Sequence, residues 1–171
     1  MNNRLCANYH AIFFLSVLIA IGCQDSPTDN AQPIPLQGKA AFYSVDHYSE
    51  SQDPFQDLSK TIQRAETEDK RILLQVGGDW CSWCVRISKY MESNQEIRQM
   101  LEQNFLVMKV TYPSDNSEAF LAQYPKIEGY PHFFVLEQDG NLLHSQRTAK
   151  LEEDESYSED AFAEFLSSWR K

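Results

Sequence analysis

Ile72-Leu73-Leu74-Gln75-Val76-Gly77-Gly78-Asp79-Trp80-Cys81-Ser82-Trp83-Cys84 joins an apolar run to a pair of cysteines through two glycines. The run reads as a buried strand, and the cysteines follow where that strand ends and a helix begins. Near the start of such a helix Cys81 lies against backbone N–H groups that lack partners, at the positive end of the dipole, which favours thiolate over thiol. Helical spacing puts Cys84 on the same face one turn deeper, within reach of a disulfide with Cys81. One sulfur can attack and the other can resolve. A pair at this spacing also serves as half of a zinc site or as an inert structural disulfide. A closed zinc site needs four ligands, however, and there is no second such pair; His10, His47, His132 and His144 show no His-x-x-x-His spacing. The redox dithiol is therefore the favoured of the three.

The chain opens with an export signal over residues 1–22: Arg4 gives a positive start, Ala11 to Ile21 is apolar apart from Ser16, and Ala20-Ile21-Gly22 is followed by Cys23. The apolar stretch is too short to span a bilayer. A cysteine in this place resembles the acylated first residue of mature bacterial lipoproteins, although Ala20 stands where leucine is commoner. In the alternative the segment is an ordinary cleaved signal or an uncleaved anchor and Cys23 is incidental; in the favoured reading cleavage discards Cys6, lipid occupies Cys23, and Cys81 and Cys84 remain as the thiols of an exported protein in an oxidising compartment. Gln24, rather than an aspartate, after Cys23 leans toward the outer membrane. Residues 23–39 carry Pro27, Pro33, Pro35 and Gly38 with few large apolar groups, the composition of a tether. Residues 40–171 are enough for one domain.

Charge narrows the partners. The chain holds 15 basic and 25 acidic residues, and removing residues 1–22 takes away only Arg4, so the net charge moves from −10 to −11. Such a surface repels phosphate backbones and anionic headgroups, which argues against nucleic acid and leaves membrane attachment to lipid. Glu152-Glu153-Asp154-Glu155 reads as a solvated loop.

Within the domain, Phe42 to His47 suggests a short extra strand, and Asp53-Pro54 opens a helix with Phe55, Leu58, Ile62 and Ala65 on one stripe. Cys84, Ile87 and Met91 share a face of the dithiol helix, and Ser93 with Glu96 predicts a capping box for a second helical piece burying Ile97, Met100 and Leu101. A strand over 104–111, a short helix over 117–124, a strand opened by Pro131, a hairpin turn at Asp139-Gly140 and a strand over 141–145 follow. Ser158 then caps a helix whose Phe162, Phe165, Leu166 and Trp169 form an apolar stripe. This order implies an α/β fold with a parallel strand pair and an antiparallel hairpin.

Trp80-Cys81-Ser82-Trp83-Cys84, together with Tyr124-x-x-Ile127-x-Gly129-x-Pro131, resembles the thioredoxin superfamily over about residues 55–169. The resemblance implies a three-layer sandwich, a central mixed sheet with helices on both faces, and a cis-proline at Pro131 beside the cysteines. It implies that Cys81 attacks a substrate disulfide and Cys84 resolves the mixed disulfide, with Tyr130 pairing to an extended substrate segment and Trp80 and Trp83 as apolar surface. In the bland alternative Trp80 is packing and Trp83 an exposed ring. Two departures bear on direction. Gln75 stands where the family often has a buried aspartate that takes the resolving thiol's proton, and Ser82-Trp83 matches neither the Gly-Pro of reductive thioredoxins nor the Pro-His of periplasmic oxidants. Lys109 falls on the next strand near that buried position, and His132 follows the proline.

The expectation is an exported, lipid-anchored thiol–disulfide oxidoreductase on the periplasmic face of a bacterial membrane, reducing or isomerising protein disulfides without a cofactor and fed by a membrane electron donor. Its rivals are a metal-holding module for copper-site or cytochrome maturation using Cys81, Cys84 and His132, and a non-catalytic lipoprotein with a structural disulfide.

Overall fold

The computed structural model describes residues 40–171; the export signal, Cys23 and the tether lie outside the described residues. Five strands form one sheet in the order β1 (Tyr43–Val45), β3 (Phe105–Thr111), β2 (Arg71–Gly77), β4 (His132–Leu136) and β5 (Leu142–Arg147). β1, β3 and β2 run parallel, whereas β4 and β5 are antiparallel to their neighbours. All residues of β3 and β4 are buried, as expected of inner strands covered on both faces.

The register sorts the side chains. Leu73, Val107, Phe133 and Val135 pack under α2 (Ser82–Ser93), α3 (Gln95–Asn104) and α5 (Glu159–Trp169). Ile72, Leu74, Val76, Met108 and Phe134 face α1 (Pro54–Glu68) and α4 (Ser117–Leu121) through Ala65 and Phe120. This is the three-layer sandwich.

Local chemistry sets the helix ends. Asp53 Oδ1 accepts from the N–H groups of Phe55 and Gln56, with Pro54 in the first turn. Phe55 stays half exposed, meeting Phe120 edge to face at 5.3 Å between ring centroids. The expected capping box at Ser93 does not form: Ser93 still belongs to α2, and Asn94 Oδ1 accepts from Ile97 N at 3.0 Å. Ser158 caps α5 through its backbone alone, its carbonyl accepting from Phe162 N at 3.0 Å without a side-chain hydrogen bond. The acidic run is a tight ribbon rather than a plain loop. β6 (Glu152–Glu153) pairs with β7 (Ser156–Tyr157) around Asp154, whose φ of 52° is left-handed. That ribbon brings Tyr157 to α2.

Candidate active site

β2 ends at Gly77, and the turn through Gly78 and Asp79 delivers Cys81 to the N-cap of α2, one residue before the first turn. Cys81 Sγ accepts from Cys84 N at 3.2 Å, so the sulfur sits where a capping oxygen sits in other helices. Cys81 and Cys84 are joined as a disulfide with Cα atoms 5.2 Å apart. Cys81 keeps 7% of its surface exposed and Cys84 none. The two sulfurs are thus unequal in access.

Gly77 is required by this arrangement. A Cβ there would lie 2.4 Å from Cys84 Sγ and 3.3 Å from the Tyr48 hydroxyl. At Gly78 it would strike Trp80 Nε1 at 2.4 Å.

Val76 pairs with His132, which sets Pro131 level with the end of β2. The Tyr130–Pro131 peptide is cis, as the resemblance implied, and so is Tyr112–Pro113, which no motif announced beyond the proline itself. The tryptophans exchange the bland roles expected of them. Trp80 is 61% exposed, donates from Nε1 to the Tyr112 carbonyl at 2.8 Å and meets Tyr130 edge to face, while Tyr130 stacks on Tyr112 at 5.1 Å. Burial raises the Tyr130 phenol to about 12, so it is neutral. Trp83 instead is half-buried against Tyr157, with the Arg86 guanidinium 4.3 Å from its ring centroid. Trp80, Tyr112 and Tyr130 therefore make one aromatic ledge, and Trp83 belongs to another side of α2.

Beneath the dithiol lies a polar layer. Gln75 is fully buried, and its Nε2 donates to the Tyr48 hydroxyl at 2.9 Å and Ser88 Oγ at 3.0 Å. Lys109, beside Gln75 in the register, is also buried rather than solvated. Its Nζ donates to the Asp46 carbonyl at 2.8 Å and lies 4.9 Å from the Tyr43 ring and 5.4 Å from the Tyr48 ring. Burial pulls its pKa down, opposed by Glu92, Asp46 and Asp79. Tyr48 and Ser88 had no motif to announce them; the glutamine in a buried strand beside a dithiol was the available signal.

His132 faces the other way. It shares the α1 side of the sheet with Val76 and Phe134; Nε2 and Ser145 Oγ are 2.9 Å apart, and its ring lies 4.7 Å from Phe134. The rival reading, in which it joins Cys81 and Cys84 on a metal, is at odds with this strand register, and the packed histidine is what the structure holds. Among the described residues no group of three or more His, Cys, Asp or Glu side chains could hold a metal ion.

The buried imidazole has a consequence for stability. Burial first, then the Arg147 charge, lower its pKa to about 4, with Glu128 opposing. The unfolded chain takes up its proton near the ordinary ~6.5, so this contribution is complete above that pH and is lost as the pH falls toward 4, on the order of 3 kcal/mol at most. His132→Leu should narrow the stability gap to wild type, or reverse it, across that window in urea unfolding. Parallel pH curves for the two proteins would refute this.

A family described as thioredoxin-like matches residues 53–137. The thiol:disulfide interchange protein DsbD of Colwellia psychrerythraea is 26% identical over 92 residues, covering 53% of this chain and 15% of that protein. The disulfide bond reductase DsbH of Chlamydia pneumoniae is 21% identical over 99 residues, covering 52% of this chain and 59% of that protein. The chain thus spans less than two thirds of either curated relative. A solved disulphide isomerase from Xylella fastidiosa superposes with a TM-score of 0.60 at 22% identity, over 71% of this chain and 94% of that one. The chain is thioredoxin-like in fold, with a C-x-x-C pair at the end of β2.

Proposed function

We propose that the protein is an exported, lipid-anchored thiol–disulfide oxidoreductase that reduces or isomerises protein disulfides in the periplasm. The observation that carries it is the unequal disulfide at the N-cap of α2: Cys81 reaches solvent and Cys84 is sealed. In the reduced protein the Cys81 thiolate, favoured by the unpaired N–H groups of the first turn, attacks a substrate disulfide. The Cys84 thiolate then attacks Cys81 Sγ, and the substrate leaves as a dithiol. Tyr130 and Pro131 offer backbone to an extended segment, and Trp80 offers an exposed apolar face beside it. Trp83 adds a half-buried ring on its own side of α2, beside Tyr157 and Arg86.

The names of the DsbD and DsbH relatives, an interchange protein and a reductase, support this class of chemistry. A reductase in an oxidising compartment needs electrons from a membrane partner. Acylation at Cys23, with the outer membrane favoured by Gln24, and a tether over residues 23–39 would set its reach. No cofactor or metal is needed for exchange between sulfurs.

The test is the reduction potential of the full chain in detergent, by equilibration with glutathione and thiol trapping. A potential well below the glutathione couple is expected of an electron-delivering reductase; one well above it would make the protein an oxidant, and no reversible equilibrium would refute redox function. In cells, Cys23→Ser should move the protein from the membrane to the soluble fraction; an unchanged distribution would refute the anchor.

A further inference from the structure

We propose that the Tyr48 hydroxyl is the hydrogen-bond donor that stabilises the Cys84 thiolate during resolution. This rests on the dithiol reading above, and it addresses the gap left by Gln75, which cannot accept a proton. Tyr48 lies in the segment between β1 and α1, outside both cysteine-bearing elements.

The hydrogen-bond pattern fixes the direction of the phenol. The Cys84 carbonyl can only accept, and it faces Gln75 Nε2 at 3.4 Å, so the amide nitrogen of Gln75 is the end turned to this layer. Ser88 Oγ donates to the same carbonyl at 3.1 Å and receives from Gln75. Gln75 Nε2, whose two N–H groups are shared among these acceptors, lies 2.9 Å from the Tyr48 hydroxyl; an amide nitrogen accepts no hydrogen bond, so Tyr48 receives here and keeps its O–H to give away. In the disulfide no hydrogen bond joins the Tyr48 oxygen to Cys84 Sγ, but both stand beside Gly77: a Cβ there would be 2.4 Å from the sulfur and 3.3 Å from the oxygen. Glycine leaves that space to the two polar atoms.

Burial holds the phenol protonated far above neutral pH, so it acts as donor and never as base. Cys84 does not line the adjoining cleft of about 310 Å³, but Tyr48, Gly78, Asp79 and Trp80 do, and in the mixed disulfide water admitted from it beside Tyr48 takes the Cys84 proton. The thiolate, held by the Tyr48 O–H, attacks Cys81 Sγ. The Cys81–Cys84 bond forms as the bond from Cys81 to the substrate sulfur breaks, and the electron pair leaves with the substrate as thiolate. Charged and titratable groups around this pair are Asp79 from the dithiol turn, Tyr157 from the ribbon and Lys109 from β3. Lys109 is in turn faced by Asp46, Glu92 and the Tyr43 ring. Asp79 and Glu92 disfavour the thiolate, Lys109 favours it, and the two phenols are neutral.

The experiment uses the full chain in detergent and titrates Cys84 in a Cys81→Ala background by ultraviolet thiolate absorbance. A buried thiol without a donor titrates above the ordinary ~8.5. With Tyr48 in place it should titrate at or below that value, and Tyr48→Phe should raise it by about one unit, a tenfold loss of thiolate at neutral pH. In the protein with both cysteines, Tyr48→Phe should slow resolution of a glutathione mixed disulfide about tenfold at neutral pH and recover at higher pH. Attack by Cys81, measured in a Cys84→Ala background, should not change. An unchanged Cys84 titration and resolution rate would overturn the role of Tyr48 alone. If Tyr48→Phe does not fold, the Cys84 titration with Tyr48 present decides: a value above ~8.5 overturns the proposal. Failure of the wild-type dithiol to attack glutathione disulfide would overturn the oxidoreductase reading with it.

Discussion

Cys81→Ser should abolish disulfide exchange, lowering turnover of a model protein disulfide such as that of insulin by about a thousandfold or more, while the protein stays folded. The sulfur is the atom that forms and breaks bonds, and no other cysteine is available in the described domain except Cys84, which has no exposed surface. Serine keeps the capping geometry, because its oxygen can accept from Cys84 N as the sulfur does. The disulfide closes a short loop, so its loss should cost about 2 kcal/mol or less in thermal or urea unfolding. Cys84→Ser gives the contrasting result: attack persists, resolution does not, and substrates accumulate as mixed disulfides on Cys81 that survive acid quenching. A structural disulfide predicts the reverse, a stability loss in both variants with no change in exchange, since there would be none to lose. Full activity in Cys81→Ser would refute the assignment of the nucleophile.

The parts of this site that were legible in the sequence are those that local rules determine. Apolar 72–76, the glycine pair and the cysteine spacing specify a strand, a turn and a helix start, and β2 and α2 follow them closely. What the sequence withheld depends on which distant group reaches the site first. Trp80 and Trp83 have the same intrinsic preference for partial burial. Trp80 is drawn outward by the Tyr112 carbonyl, whereas Trp83 is covered because the β6–β7 ribbon carries Tyr157 to it. That ribbon was hidden in a run of four acids, where charge suggested solvent and said nothing of the turn at Asp154. At the α2–α3 junction Ser93 and Asn94 are both good caps; Asn94 prevails because α2 runs through Ser93.

Gln75 and Lys109 illustrate the same limit in the opposite sense. Glutamine and lysine are seldom fully buried, yet their parallel register on β2 and β3 places both on the face under α2. There a neutral amide tolerates burial by donating to Tyr48 and Ser88, and the ammonium by donating to a carbonyl between two phenol rings. Replacing an aspartate-type proton acceptor with glutamine changes the chemistry of the layer from accepting protons to donating hydrogen bonds.

Phe133→Ala should destabilise the domain by about 3–5 kcal/mol in urea unfolding, the largest loss expected of a single side chain here. Phe133 is fully buried at the middle of the sheet, opposite Gln75, and its ring lies 6.0 Å from that of Phe165 and 6.1 Å from that of Phe162. Removing it opens a cavity between β4 and α5 that neither a strand paired on both sides nor a helix held by several other aromatics can close. The same strand begins one residue after Pro131, so the loss should loosen the docking edge while leaving the Cys81–Cys84 turn, which β2 and α2 supply, intact. Exchange per folded molecule should therefore change far less than stability, the inverse of Cys81→Ser. A loss below about 1 kcal/mol would mean that α5 collapses onto the sheet, and the packing drawn here for that face would be wrong.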